Sequence, residues 1–166
     1  SMKPSYLYSP GVQPSALDYL TVPEKPKEAA QKPQSTSAQL ENILDKREWI
    51  DLASPRRIFV CPPDAPKSVQ DEVFAGNLHH IKTADFLIVN TRDKDIGTIW
   101  EAGFAFALRK PIIYFCAGLP EGAKFNLMLA RSGCKVCTSF EELEDYLDRS
   151  WSQKQLILEP YDQAIE

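Results

Sequence analysis

The sequence has no surplus of basic residues, no long hydrophobic run and few cysteines. Its 19 Lys and Arg are outnumbered by 23 Asp and Glu, which gives a formal net charge of −4. A nucleic acid is not expected as a partner, because no positive surplus exists to displace counterions from its backbone. No apolar run approaches the ~20 residues of a membrane-spanning helix, and no signal peptide opens the chain. We therefore expect a cytoplasmic protein that does not contact a membrane.

The four cysteines do not form a metal-binding pattern. Cys134 and Cys137 have the spacing of zinc and redox sites, but no second pair supplies the other two zinc ligands. The segment around them reads as a strand, in which residues three apart point to opposite faces. We predict inert thiols in a reducing compartment, no metal and no cofactor.

The chain of 166 residues, 43% of them hydrophobic, is long enough to bury one sizeable core. We predict a single domain over residues 1–166. Residues 12–36 hold many of the 13 prolines, with Ser, Gln, Lys and Glu between them. This composition favours a long surface loop, and such loops in compact domains are usually functional lids or disordered. We predict that this segment forms a mobile flap over a ligand pocket.

Apolar strand-like runs alternate with helical patterns along the rest of the chain. The predicted strands are 5–11, 56–63, 85–90, 110–118 and 134–140. The predicted helices are 35–50, 68–85, 98–109, 125–133 and 139–151. The alternation predicts an α/β fold with an open parallel sheet and right-handed crossovers. The helix at 98–109 is apolar on nearly all sides, so we expect it to be sandwiched between other elements.

The stretch "DIGTIWEAG" at 95–103 raises the question of what Glu101 does. Ligands of open parallel sheets bind outside the carboxyl ends of the strands, and Glu101 follows such an end by about one helical turn. Thr98 and Glu101 match a capping box, in which the Glu only caps the helix. Alternatively, the helix N-terminus favours an ionised, poorly solvated carboxylate, which is a competent nucleophile toward a sugar C1′.

Two neighbours of Glu101 are also open to two interpretations. Asp95 lies in the preceding loop and is able to face the same cleft, or it is a solvated turn residue. Gly97 suits close approach of a ligand or of the backbone, or it is a packing glycine. Neither residue forms a specific motif by itself.

Taken together, these residues resemble the nucleoside 2-deoxyribosyltransferase family. The resemblance rests on Asp-x-Gly-Thr-x-x-Glu-x-Gly at 95–103, on the Lys-Pro before the following strand, and on "FNLML" at 125–129. It extends from Ser68 to about Phe140, and "YLYSP" at 6–10 and "IFVCPPD" at 58–64 are similar to the family's first two strands. It implies a flavodoxin-like fold, a covalent deoxyribosyl-enzyme, and a homo-oligomer whose sites a neighbouring subunit completes.

The resemblance also implies roles for individual residues. Glu101 would be the nucleophile, and Tyr6 would hydrogen-bond and orient its carboxylate. Asp95 would hold the sugar hydroxyls near the 5′ end. Asn126 would reach the sugar in the adjacent subunit's site, with Met128 packed beside it.

Asn77 departs from the family pattern. Many members have an Asp here that contacts the base, and an amide still forms that hydrogen bond but delivers no proton to the leaving base. His79 or His80 could substitute, although side-by-side histidines point in different directions and a surface position is the simpler expectation.

Three functions compete at this point. The first is base exchange between deoxynucleosides and free nucleobases. The second is hydrolysis of deoxynucleoside 5′-monophosphates, as in relatives that tend to have Ser where Asp95 stands; a carboxylate there would repel a phosphate dianion. The third is a non-catalytic nucleoside-binding module, which Asn77 and the Pro-rich segment favour.

Overall fold

The structure is a computed structural model that describes residues 5–9 (as a strand backbone), 34–92 and 95–166. Its strands and helices alternate along the chain. The strands are β1 (Ser5–Ser9), β2 (Asp51–Ala53), β3 (Phe86–Asn90), β4 (Ile112–Phe115) and β5 (Lys135–Cys137). The helices are α1 (Thr36–Asp45), α2 (Pro55–Ile58), α3 (Lys67–Thr83), α4 (Ile96–Ala107), α5 (Leu127–Ser132) and α6 (Phe140–Ser152).

The five strands form one sheet in the order β2-β1-β3-β4-β5, and every neighbouring pair is parallel. This is the flavodoxin-like strand order, whose topological switch point lies between β1 and β3. The predicted fold class is therefore confirmed. A ligand is expected beyond the carboxyl ends of these two strands, where α4 begins.

Helices cover both faces of the sheet. On one face α1 and α6 pack against Phe86, Ile88 and Ile113. On the other face α3, α4 and α5 pack against Leu87 and Val89. Alternate residues of β3 thus enter opposite core layers, which explains why its sequence is a continuous apolar run.

The strand predicted at 56–63 is wrong. The second strand is instead Asp51–Ala53, and the apolar run that follows belongs partly to the short helix α2. Pro55 occupies the first helical turn, a position that suits its fixed φ and missing N–H. Arg56 and Arg57 both form ion pairs with the buried Glu41 of α1. Consecutive residues of a strand would point to opposite faces of the sheet instead.

The prediction that α4 is sandwiched is also wrong. Only one side of the helix, including Ala102 and Ala105, is buried against the sheet. Ile96, Trp100 and Phe106 are large apolar residues that remain exposed. An apolar helix surface therefore faces outward beside the carboxyl edge of the sheet.

Gly76 interrupts the helical pattern of α3 for a packing reason. A Cβ atom at this position would lie 2.3 Å from Cζ of Phe59. The missing side chain lets the Phe59 ring pack on α3, where its centroid is 5.4 Å from that of His80. A glycine inside a helix costs about 1 kcal/mol of stability relative to alanine, and the contact with the Phe59 ring compensates for this cost.

The side chains of Cys134 and Cys137 do not point to opposite faces of the sheet, contrary to the prediction. Cys134 precedes β5, so strand alternation does not apply to it, and both Cys134 and Cys137 pack in the core layer of α1 and α6. Burial raises the pKa of the Cys134 thiol, and burial together with Glu142 raises that of Cys137 to about 12. All four cysteines are free thiols.

Most of the Pro-rich segment at 12–36 lies outside the described residues. At its end, Ser35 caps α1 by accepting a hydrogen bond from the Ala38 N–H, and Thr36 begins the helix. Within the described ranges, no helix is long and apolar enough to cross a membrane.

Candidate active site

Asp95 starts α4 as its N-cap. Its carboxylate Oδ2 accepts a hydrogen bond from the Thr98 N–H at 2.7 Å. Glu101 is consequently the sixth helical residue, too far into the helix to be the third residue of a capping box. The capping interpretation of Glu101 is therefore wrong, and the residue that caps is Asp95.

A cleft of about 210 Å³ lies between α3 and α4. Each helix contributes three residues with the spacing i, i+3, i+4, so each contributes one face. The lining residues are Phe74, Asn77 and Leu78 of α3 and Gly97, Trp100 and Glu101 of α4. The cleft thus brings together three of the predicted site residues.

Glu101 contributes a half-buried carboxylate to this cleft. It lies beyond the first turn of α4, and the field of the helix dipole falls off within that turn. The helix terminus therefore supports its charge less than the sequence alone predicts. Reduced solvation, together with the position in the cleft, is what makes this carboxylate suited to attack an electrophilic carbon.

Asn77 faces the cleft with an unsatisfied amide. The residue is half-buried, and its Oδ1 is buried without a hydrogen-bond partner in the described structure. A buried carbonyl oxygen without a partner costs free energy, and this atom is too enclosed for a ligand in the cleft to contact it unless the side chain moves. Neither histidine of α3 lines the cleft, since His79 is exposed and His80 packs on Phe59.

Gly97 connects the cap to the cleft. A Cβ atom here would lie 3.3 Å from Oδ2 of Asp95, tighter than most such contacts. The glycine therefore leaves the capping carboxylate uncrowded and keeps the wall of the cleft thin at this point. The contact lies within the chain, so it fits a packing role, and close approach of a ligand to Gly97 stays a prediction.

Asn90 ends β3 and was not singled out by the sequence. It is fully buried, its Oδ1 accepts a hydrogen bond from the Arg92 N–H at 3.1 Å, and its Nδ2 has no acceptor in the described structure. It marks the carboxyl end of β3 as polar, although a buried Asn at a strand end gives no distinctive sequence signal.

Tyr6 lies on β1, and its backbone is level with Phe86 at the start of β3. Its side chain is outside the described structure, so its contact with Glu101 stays a prediction. Because α4 runs back along the sheet, Glu101 lies about 9 Å below the start of the helix.

Asn126 and Met128 do not line the cleft of their own chain. Asn126 is the exposed N-cap of α5, where its Oδ1 accepts hydrogen bonds from the N–H groups of Met128 and Leu129 at 3.0 and 3.2 Å. Met128 is 74% exposed. The residues 164–166 run beside this cap, with Ile165 bridged to Phe125, so the tail holds the start of α5 in place.

Phe74, Leu78 and Trp100 also line the cleft, although the sequence did not predict them as site residues. In sequence they look like ordinary apolar positions of helices. The available signal was helical spacing, because Phe74 lies one turn before Asn77 and Trp100 lies one turn after Gly97.

The strand order and the cleft between α3 and α4, with the half-buried Glu101 in its lining, define an α/β protein of flavodoxin-like fold. A sequence model of the nucleoside 2-deoxyribosyltransferase family matches residues 19–132, more than two thirds of the chain. The chain belongs to this family. The match begins after β1 and includes both helices of the cleft.

Solved structures share the fold. A 2-deoxyribosyltransferase from the psychrotolerant bacterium Bacillus psychrosaccharolyticus, described as a biocatalyst for nucleoside synthesis, superposes with a TM-score of 0.65 at 23% identity; the alignment covers 95% of this chain and 99% of that one. A conserved protein from Enterococcus faecalis V583 gives a TM-score of 0.60 at 13% identity and covers 89% and 99%. No curated protein sequence matches the chain significantly.

Proposed function

We propose that this protein exchanges the nucleobase of 2′-deoxynucleosides through a covalent intermediate on Glu101. The observation that carries the proposal is the half-buried Glu101 carboxylate in a cleft with Asn77, in a chain of the nucleoside 2-deoxyribosyltransferase family.

The reaction has two displacement steps at C1′. In the first, a carboxylate oxygen of Glu101 forms a bond to C1′ while the C1′–N bond breaks, and the electron pair leaves with the base nitrogen. In the second, a nitrogen of the incoming base attacks C1′ and releases the carboxylate. Two inversions leave the configuration at C1′ unchanged, as in retaining glycosidases. The first base gains a proton and the second loses one.

Asn77 binds the base in this scheme but does not act as an acid. Its amide accepts and donates hydrogen bonds without a titratable proton, so it does not protonate the leaving base. Asn77 lines the cleft together with Glu101, so its amide is placed to meet the polar edge of a base. Base contact through Asn77 therefore contributes affinity and orientation.

Asp95 selects an unphosphorylated sugar in this proposal. Its Oδ2 is fixed by the Thr98 N–H, so the carboxylate has a defined position beside Gly97 of the cleft. A 5′-phosphate near this charge would be repelled. The hydrolase of deoxynucleoside 5′-monophosphates is therefore the less favoured alternative.

The complete site includes a second copy of the chain in this proposal. Asn126 lies on the exposed start of α5, away from the cleft of its own chain. If it contacts the sugar, the sugar must be bound in a neighbouring subunit. We place the protein in the cytoplasm, where free thiols persist and base exchange would serve nucleoside salvage.

The test is incubation of the protein with thymidine and free adenine. Formation of deoxyadenosine and thymine is the expected result, and Glu101→Gln should abolish it. Glu72→Gln, an exposed position on α3, is the matched control and should exchange normally. Thymine without a new nucleoside would indicate the hydrolase, and no reaction with these or other bases would favour the binding module.

A further inference from the structure

Two large aromatic side chains that line the cleft are exposed to solvent. Phe74 is 55% exposed and Trp100 is 52% exposed, although both line the cleft that contains Glu101. Exposed aromatic surface beside a polar site is typical of ligand recognition, where most of the lining is apolar and a few polar groups fix orientation.

The Phe74 and Trp100 rings meet at an angle and form a corner, and a third aromatic ring packs against Trp100. Their centroids are 5.9 Å apart with an angle of 47° between the ring planes. Trp100 also stacks on Phe104, one turn further along α4, with centroids 5.7 Å apart and planes 13° from parallel. The indole is thus supported on one side, and its position does not depend on the ligand.

The size and the polar groups of the cleft indicate what occupies this corner. At about 210 Å³ it is smaller than the ~300–1,000 Å³ clefts that enclose drug-sized ligands, so it suits one ring system. Asn77 adds an amide, with donor and acceptor groups, to a lining that is otherwise largely aromatic and aliphatic. A planar ring with N–H groups on its edge satisfies both the aromatic walls and the amide.

We propose that Phe74 and Trp100 bind the nucleobase, with the base ring packed against the Trp100 indole and its edge toward Asn77. This proposal rests on the function proposed above and adds two binding residues to it. Because every base has a π-face, this contact tolerates different bases. It thus suits an enzyme that must accept both the departing and the incoming base.

The first experiment uses tryptophan fluorescence with free adenine as the only ligand, in the Glu101→Gln protein so that no chemistry occurs. Adenine should quench the emission, and Trp100→Phe in the same background should remove most of the quenching. Trp49→Phe is the matched control, because Trp49 stacks on Trp151 and packs in the core layer on the other face of the sheet. It should leave the adenine-dependent quenching in place.

The second experiment measures the dissociation constant of adenine by calorimetry. Trp100→Ala and Phe74→Ala should each weaken binding by about five- to a hundredfold, the range of base–aromatic contacts. Phe106→Ala removes another exposed ring of α4 that does not line the cleft, and it should bind adenine normally.

The proposal is overturned if adenine does not bind, if quenching survives Trp100→Phe, or if both cleft substitutions bind adenine as tightly as Phe106→Ala. Circular dichroism of each variant separates loss of contact from loss of fold. Because base binding is measured without a nucleoside, this test can fail while base exchange is observed, and it can succeed while exchange is absent. The two proposals are therefore tested separately.

Discussion

Replacing Asp95 with Ser should relax the discrimination between thymidine and its 5′-monophosphate. A unit charge pair about 5 Å apart contributes about 3 kcal/mol at an effective dielectric constant near 20, and solvent at the 5′ end reduces this value. We therefore expect wild type to prefer thymidine by at least tenfold, about 1.4 kcal/mol. Ser removes the charge and supplies a hydroxyl donor, so the preference should narrow.

The structure makes this substitution interpretable. Asp95 is also the N-cap of α4, and Ser is as good a cap as Asp, so Asp95→Ser should keep the melting temperature close to that of wild type. Asp95→Ala loses the cap and should cost about 1 kcal/mol of stability. It serves as the control for effects of helix fraying on activity.

The assay is kcat/KM for thymidine and for thymidine monophosphate in wild type, Asp95→Ser and Asp95→Ala. Equal or better use of the monophosphate by wild type would refute the assignment of Asp95 to the 5′ end and would promote the hydrolase. An unchanged preference in Asp95→Ser would show that charge at this position is not what discriminates.

Two further predictions concern stability. Hydrogen bonds from Arg149 and Lys135 lower the pKa of Glu159 from 4.5 to about 2. The stabilising contribution of Glu159 is therefore present above about pH 4.5 and is lost as the pH falls toward 2. The melting temperatures of Glu159→Gln and wild type should converge over this range, and a constant difference between them would contradict the assignment. A Cβ at Gly133 would lie 2.6 Å from the buried tyrosine ring of β4, so Gly133→Ala should lower the free energy of unfolding by about 1–3 kcal/mol in a denaturant titration. A Cβ at Gly103 would have nothing within 4 Å, so Gly103→Ala should be neutral or stabilising. Equal effects of the two substitutions would show that these contact distances do not determine the change in stability.

The parts of the fold predicted correctly are those with a strong periodic signal. The strand at 86–90 is a run of five buried residues, and α6 combines a Ser139 cap with an amphipathic face, as the structure confirms. The second strand was missed because Asp51–Ala53 is short and lies at the sheet edge, so it has no apolar pattern. The run that follows was predicted as the strand because it is apolar. Its first residues form a short helix instead, which Pro55 and the two ion-paired arginines favour.

The candidate site divides in the same way. Glu101 and Gly97 could be placed from sequence, because the carboxyl end of a buried strand fixes where the following helix begins. Asn77 lies on the helix before that strand and was assigned only through the family resemblance. The cap could not, since either Asp95 or Thr98 is a suitable first residue and only the backbone geometry decides between them. Trp100 was missed because its sequence position does not show which side of α4 remains uncovered.

In the proposed mechanism Glu101 becomes covalently attached to the sugar. The direct measurement is mass spectrometry of the protein after brief incubation with a deoxynucleoside and no acceptor base, followed by peptide mapping. We predict an added mass of one deoxyribosyl group on the peptide that contains Glu101, absent in Glu101→Gln and lost when a free base is added. A protein that exchanges bases without this adduct, or that carries it on another residue, would contradict the account.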